Sequence, residues 1–190
     1  MTDTTYRTLA LVGMPGSGKT LCAEHLQARG FFQFRFGSII TDEVERRGLP
    51  INPENERTVR EEFRDADGMA AIAKRALPLL KNALTQQRCI VIDGVYSFSE
   101  YKLLSDNEDM QMIVVAITAP RALRYARLSQ RPVRPLTPEE ARLRDYQEIE
   151  RLEKGGTIAI ADYTLVNDTT PLALLQTLDA LLEEVNITPE

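Results

Sequence analysis

The chain has 190 residues, 43% of them hydrophobic and 27% charged, with 23 Lys and Arg against 28 Asp and Glu for a net charge of −5. That size and balance describe one folded domain with its own core, and they exclude a disordered tail protein, a collagen-like chain and a general nucleic-acid coat. Two cysteines without CxxC spacing and a single histidine argue against a zinc site; no apolar run approaches the ~20 residues of a membrane span, and the start MTDTTYRTLALVG does not read as a signal peptide, so a cytoplasmic protein is expected.

Residues 8–12 form a short β-prone apolar run that ends at Gly13, a buried strand leading into a tight loop. A helical pattern follows from Ser17 to about Ala28 and stops at Gly30. A second strand is expected over 31–36, where the phenylalanines read as strand packing, and a helix over 39–47 that Gly48 and Pro50 end. Asn52 caps the next helix with Pro53 at its first position, and Gly68 breaks it. Another helix runs to about Thr85, with a kink or a start at Pro78.

The sequence Cys89-Ile90-Val91-Ile92-Asp93-Gly94 is the clearest strand, and 112–117 is another. Residues 121–130 are helical. Thr137-Pro138-Glu139-Glu140 is a capping box that opens a helix expected to end at Gly155-Gly156. A last strand at 163–166 precedes a closing helix that starts at Thr170-Pro171. This alternation calls for an α/β fold, a mainly parallel sheet covered on both faces. The strand-free stretches 37–86 and 121–160 read as helical insertions over the strand C-terminal ends, where open α/β sheets bind ligands.

Gly13-Met14-Pro15-Gly16-Ser17-Gly18-Lys19-Thr20 matches the phosphate-loop pattern GxxxxGK[ST] in full. Its glycines let backbone N–H groups turn inward around phosphate oxygens, and the following helix adds its positive end. Gly13, Pro15, Gly16, Ser17, Gly18, Lys19 and Thr20 are therefore the expected nucleotide-binding residues. Lys19 reaches the β- and γ-phosphates, and the Thr20 hydroxyl serves Mg²⁺. Asp93, an acid at the end of an apolar strand, is the second expected Mg²⁺ group, acting through water.

Arg124, Arg127 and Arg131 recur at i, i+3 and i+7, so one helix face is expected to carry all three, with Arg121 and Arg134 nearby. Their planar forks suit phosphate oxygens, and Arg127 and Arg131 are the candidates for catalytic contact. The alternative is a solvated face paired with Glu139 and Glu140. Arg57, Arg60 and Arg64 repeat the spacing on the Pro53 helix. The many acids of that helix favour intrahelical ion pairs over ligand contact.

Taken together, the phosphate loop, Arg46-Arg47-Gly48-Leu49-Pro50, Pro53-Glu54-Asn55, Ala73-Lys74-Arg75, Val91-Ile92-Asp93-Gly94, Arg127 with Arg131, and Ala161-Asp162-Tyr163 with Val166-Asn167 occur in one order. The chain in this respect resembles a microbial family of adenylate-kinase-like P-loop proteins, often labelled dephospho-CoA-kinase-like. The resemblance implies a nucleoside-monophosphate-kinase fold with five parallel strands in the order 2-3-1-4-5. It also implies a core of 1–36, 87–130 and 155–190, an acceptor-binding insertion at 37–86 and a lid at 131–154. Two departures stand out. The wider kinase pattern has an arginine after strand two and another after strand three, where this chain reads Gly37-Ser38-Ile39-Ile40-Thr41 and Asp93-Gly94-Val95-Tyr96.

The expectation is therefore ATP- and Mg²⁺-dependent phosphoryl transfer to a small molecule, a nucleoside monophosphate or related nucleotide, by a monomer or homodimer. Gly37, Ser38, Arg57, Arg60, Arg64, Gly94 and Tyr96 are the expected acceptor-binding set. The alternative is a regulatory nucleotide-binding ATPase with little or no kinase activity.

Overall fold

Strand β1 (Thr8–Val12) is buried at every position, as a central strand covered on both faces must be. In the computed structural model, which describes residues 6–95 and 97–189, it is flanked by β3 (Ile90–Asp93) and β4 (Met112–Thr118). Strands β2 (Phe32–Arg35) and β5 (Tyr163–Val166) complete a sheet of order β2-β3-β1-β4-β5, parallel at each pairing. This is the expected order. The register sets Leu11 beside both Asp93 and Val115, so the loops that leave β1, β3 and β4 emerge on one edge.

The period of two along each strand divides the core. Ala10, Val12, Ile90, Ile92, Val114 and Ala116 face α2 (Ser38–Arg46), α3 (Pro53–Asp67) and α4 (Ala71–Gln86). Leu9, Leu11, Val91, Ile113, Val115 and Ile117 face α1 (Lys19–Ala28) and α9 (Pro171–Glu184). Cys22 and Cys89 belong to this second cluster as free, buried thiols, and burial pushes each up to about 12. Among the described residues no helix is long and apolar enough to cross a membrane.

Helix boundaries follow local chemistry. The Asn52 side chain accepts from Asn55 N at 2.9 Å and Pro53 opens α3, as anticipated. Helix α4 begins at Ala71, not at Pro78, and carries that proline in its interior. An unanticipated helix, α5 (Phe98–Ser105), follows β3. Its signal is the capping box Ser97-Phe98-Ser99-Glu100, in which Glu100 N donates to Ser97 Oγ at 3.0 Å.

Two expectations are corrected beyond β4. Helix α6 (Arg121–Ser129) ends before Arg131, so the three arginines do not share one helix. Helix α7 (Pro138–Glu150) ends well before the glycines, and a left-handed Glu153 (φ 53°) leads into α8 (Lys154–Ala159), which contains both. Gly156 is a packing glycine rather than a terminator. A Cβ there would lie 3.0 Å from the Phe98 ring on α5.

Candidate active site

The loop between β1 and α1 has the backbone its glycines suggest. Gly16 (φ 79°) and Gly18 (φ 108°) are left-handed, and a Cβ on Gly18 would sit 2.3 Å from Asn167 Nδ2. That same amide nitrogen donates to Ser17 O at 2.8 Å, so Asn167, just past β5, pins the loop. Helix α1 starts at Lys19 without a side-chain cap, which leaves its first N–H groups directed at the loop. The Ser17 Oγ is buried with no partner. A cavity of about 370 Å³ lies here, lined by Gly13 through Thr20 and by Arg127, Arg131, Arg144, Glu148 and Lys154. Gly18→Ala is expected to add about 1–3 kcal/mol of backbone strain on top of the clash with Asn167. A lower melting temperature together with lost Mg–ATP binding is the result to look for by calorimetry, and unchanged binding would contradict the loop geometry.

Lys19 is ion-paired with Asp93 at the end of β3, each side chain 17% exposed. Thr20 is exposed on the wall of the cavity. These two hard oxygen donors, the Thr20 hydroxyl and the Asp93 carboxylate, suit Mg²⁺ chemistry. No group of three or more His, Cys, Asp or Glu side chains able to hold a metal occurs among the described residues. The fit is therefore to a metal that arrives with nucleotide phosphates rather than to a cage made by protein alone.

The arginine stripe divides into different tasks. Arg124 is buried and forms a fork with Asp145 on α7, at 2.9 and 2.6 Å, while its Nη1 also donates to Pro15 O at 2.9 Å. It ties the glycine loop to α7. Arg127 Nη2 donates to the Asn167 backbone oxygen and to its Oδ1, both at 3.1 Å, and so braces the residue that pins the loop. Arg131 lines the cavity and has no ion pair among the described residues, and burial together with the neighbouring Arg144 lowers its pKa. Arg121 and Arg134 line neither this cavity nor the next. Glu139 and Glu140, the expected partners of a solvated stripe, instead engage Arg142 and Thr137.

Lys154 and Glu148 have no counterpart in the sequence reading. Lys154 Nζ donates to Glu148 Oε2 at 2.7 Å, and Lys154 is only 4% exposed. Burial lowers the Lys154 pKa, Glu148 opposes that, and the positive Lys19 and Arg144 add to the lowering. Five cationic side chains among the described residues, Lys19, Arg127, Arg131, Arg144 and Lys154, thus line one small space, which an anion of high charge would relieve.

A second cavity, of about 1000 Å³, adjoins the first, and Arg144 and Glu148 line both. Gly37, Ser38, Arg57, Arg60 and Arg64 all line it, joined by Arg35 at the end of β2, which the sequence reading did not single out. Among the described residues Arg57, Arg60 and Arg64 make none of the expected intrahelical ion pairs. Two acids of the helix are used elsewhere, Glu62 on Arg47 at 2.6 Å and Asp67 on Arg75 at 2.7 Å, and Glu56 lines the same cavity as the arginines. Arg64 Nε is buried without a partner, and burial, with Arg60 beside it, lowers its pKa. Gly94 is buried and lines neither cavity. Tyr96 lies outside the described residues.

The model of the AAA domain family matches residues 9–156. A UPF0200 protein of Thermococcus gammatolerans is 34% identical over 178 residues, which cover 92% of this chain and 93% of that one. Among solved structures, TT1252 from Thermus thermophilus superposes with a TM-score of 0.64 at 18% identity, over 94% of this chain and 97% of its own. Shikimate kinase from Acinetobacter baumannii gives a TM-score of 0.56 at 19% identity, over 97% of each chain. At such identities the structural likeness concerns the fold, which is that of P-loop kinases.

Proposed function

The chain belongs to the AAA domain family and to the UPF0200 proteins, and on that footing we propose that it transfers a phosphoryl group from Mg–ATP to an anionic small molecule. The observation that carries this reading is the pair of adjoining cavities. One is built on the glycine loop and the start of α1, the other on free arginines of α3, and Arg144 and Glu148 border both. A donor phosphate in the first and an acceptor in the second would meet at that border.

In this reading the backbone N–H groups of Gly16, Ser17, Gly18 and Lys19 cradle the phosphates. Lys19 exchanges Asp93 for phosphate oxygens, which frees the Asp93 carboxylate to join Thr20 in holding the metal. Held by the Thr20 hydroxyl and the Asp93 carboxylate, Mg²⁺ would supply charge neutralisation on the phosphates. Arg131 and Lys154 stabilise charge on the moving group, and Arg127 acts mainly by holding Asn167 against the loop. The segment 37–86 supplies the acceptor wall and 131–154 the wall common to both cavities. A second reading, a nucleotide sensor with slow hydrolysis, draws on the missing strand-end arginines.

Nucleotide binding is tested by melting the protein with Mg²⁺ and a non-hydrolysable ATP analogue. At a hundredfold excess over Kd the linkage contributes about 2.7 kcal/mol. For a domain of this length that raises Tm by roughly 5–10 °C. Absence of any shift with adenine or guanine triphosphates contradicts the proposal.

A further inference from the structure

The two cavities meet at a carboxylate, and that bears on what the acceptor is. Glu148 projects from α7 onto both spaces and is 7% exposed. Lys154 Nζ holds its Oε2 at 2.7 Å, and Arg144 Nε stands 3.6 Å from Oε1. Glu148, with Arg144, is on the wall of both spaces. An acceptor that attacks through a phosphate oxygen needs no base there. A hydroxyl acceptor has the opposite need, since its proton has to go somewhere as the new bond forms.

The distribution of cations agrees. The sequence has Thr41 and Tyr96 where the wider kinase pattern has arginines after strand two and strand three, and the arginine at the end of β2 is Arg35, on the wall of the larger cavity. Arg57, Arg60 and Arg64 line the larger cavity from α3, beside Glu56 and with Arg35 at the end of β2, while Glu148 lines it from α7. With about 1000 Å³ between these walls, one molecule can place an anionic group on α3 and a separate polar group at Glu148.

We infer that the acceptor is an alcohol bearing a phosphate or carboxylate elsewhere in the molecule, and that Glu148 takes its hydroxyl proton. This rests on the phosphoryl-transfer reading above. The hydroxyl oxygen bonds to the γ-phosphorus of ATP while the bond from that phosphorus to the β-γ bridging oxygen breaks. ADP leaves with the bond's electron pair, and the hydroxyl proton ends on Glu148, which later releases it to water. Lys154 and Arg144 hold the carboxylate in place. Arg57, Arg60 and Arg64 anchor the anionic end.

The product class decides the matter. Wild-type protein is incubated with γ-labelled Mg–ATP and a panel of sugar phosphates, hydroxycarboxylates and nucleoside monophosphates. Transferred label that survives hot acid marks a phosphate monoester, and label lost in hot acid marks a phosphoanhydride. The expected product is acid-stable. Glu148→Gln is expected to lower its formation by about 100-fold. Glu148→Asp, which keeps a carboxylate for Lys154, should recover part of the rate, and Arg60→Ala should raise the acceptor KM more than it lowers kcat. An acid-labile product from any nucleoside monophosphate overturns the inference while leaving the kinase reading intact. So does a Glu148→Gln protein that works at the wild-type rate. Failure of the wild-type protein to bind the ATP analogue overturns both.

Discussion

Lys19→Ala is expected to reduce phosphoryl transfer by about 10³-fold or more, since it removes the ammonium aimed at the phosphates and shifts nothing else in the loop backbone. Its effect on stability is expected to be small. The ion pair it breaks leaves Asp93 with a side chain 17% exposed, in reach of water, so the loss is on the order of 1 kcal/mol. A coupled assay of ADP release beside a thermal melt separates the two effects. Transfer at the wild-type rate in a folded variant would remove Lys19 from the chemistry.

The largest stability effect is expected at the clasp between the glycine loop and α7. Arg124 and Asp145 are each 8% exposed and share two hydrogen bonds, and Tyr125 OH donates a third to Asp145 at 3.1 Å. Arg124→Ala strands the Asp145 charge in the interior, at a cost of about 3–5 kcal/mol. In a chain of this size that lowers Tm by roughly 10 °C. Replacing both partners with apolar residues of similar volume is expected to restore most of the loss, because the penalty comes from the unpaired charge. Denaturant melts of the single and double variants check this. An Arg124→Ala protein that melts with wild type would show that the clasp holds nothing. The loop carbonyl of Pro15 is fixed by the same guanidinium, so weaker ATP-analogue binding should accompany the lower Tm.

The elements that local chemistry dictates were readable from sequence. Asn52-Pro53, Thr137-Pro138 and Thr170-Pro171 begin helices where their caps predict, and TLALV into the glycine loop and IVID into Gly94 are strands. Phosphate loops announce themselves because backbone curvature requires glycine at fixed places. Partnership across the chain was not readable. Nothing local says that Arg124 meets Asp145 twenty-one residues on, or that Asn167 reaches back 150 residues to Ser17. The same blindness applied to Arg57, Arg60 and Arg64. Acids lie at pairing distance along the helix, but tertiary packing turns the arginines toward a cavity and gives Glu62 and Asp67 to other partners. Lys154 was overlooked because Gly155-Gly156 reads as a stop, whereas both lie inside α8 and Gly156 is there to admit Phe98. The capping box of α5 was legible in Ser97 and Glu100.

The position of β1 also shapes how the molecule comes into being. Among the described residues it is the first strand in the sequence and the middle strand of the finished sheet, with both neighbours, β3 and β4, encoded far downstream. Until residues 90–93 have been synthesised, its five buried residues have no ladder to join. Parallel pairing at such separations must wait for long loops to close, which makes it slow. The growing chain therefore carries an unpaired, sticky strand until β3 has been made, the interval in which a nascent protein is most exposed to aggregation and most dependent on chaperones.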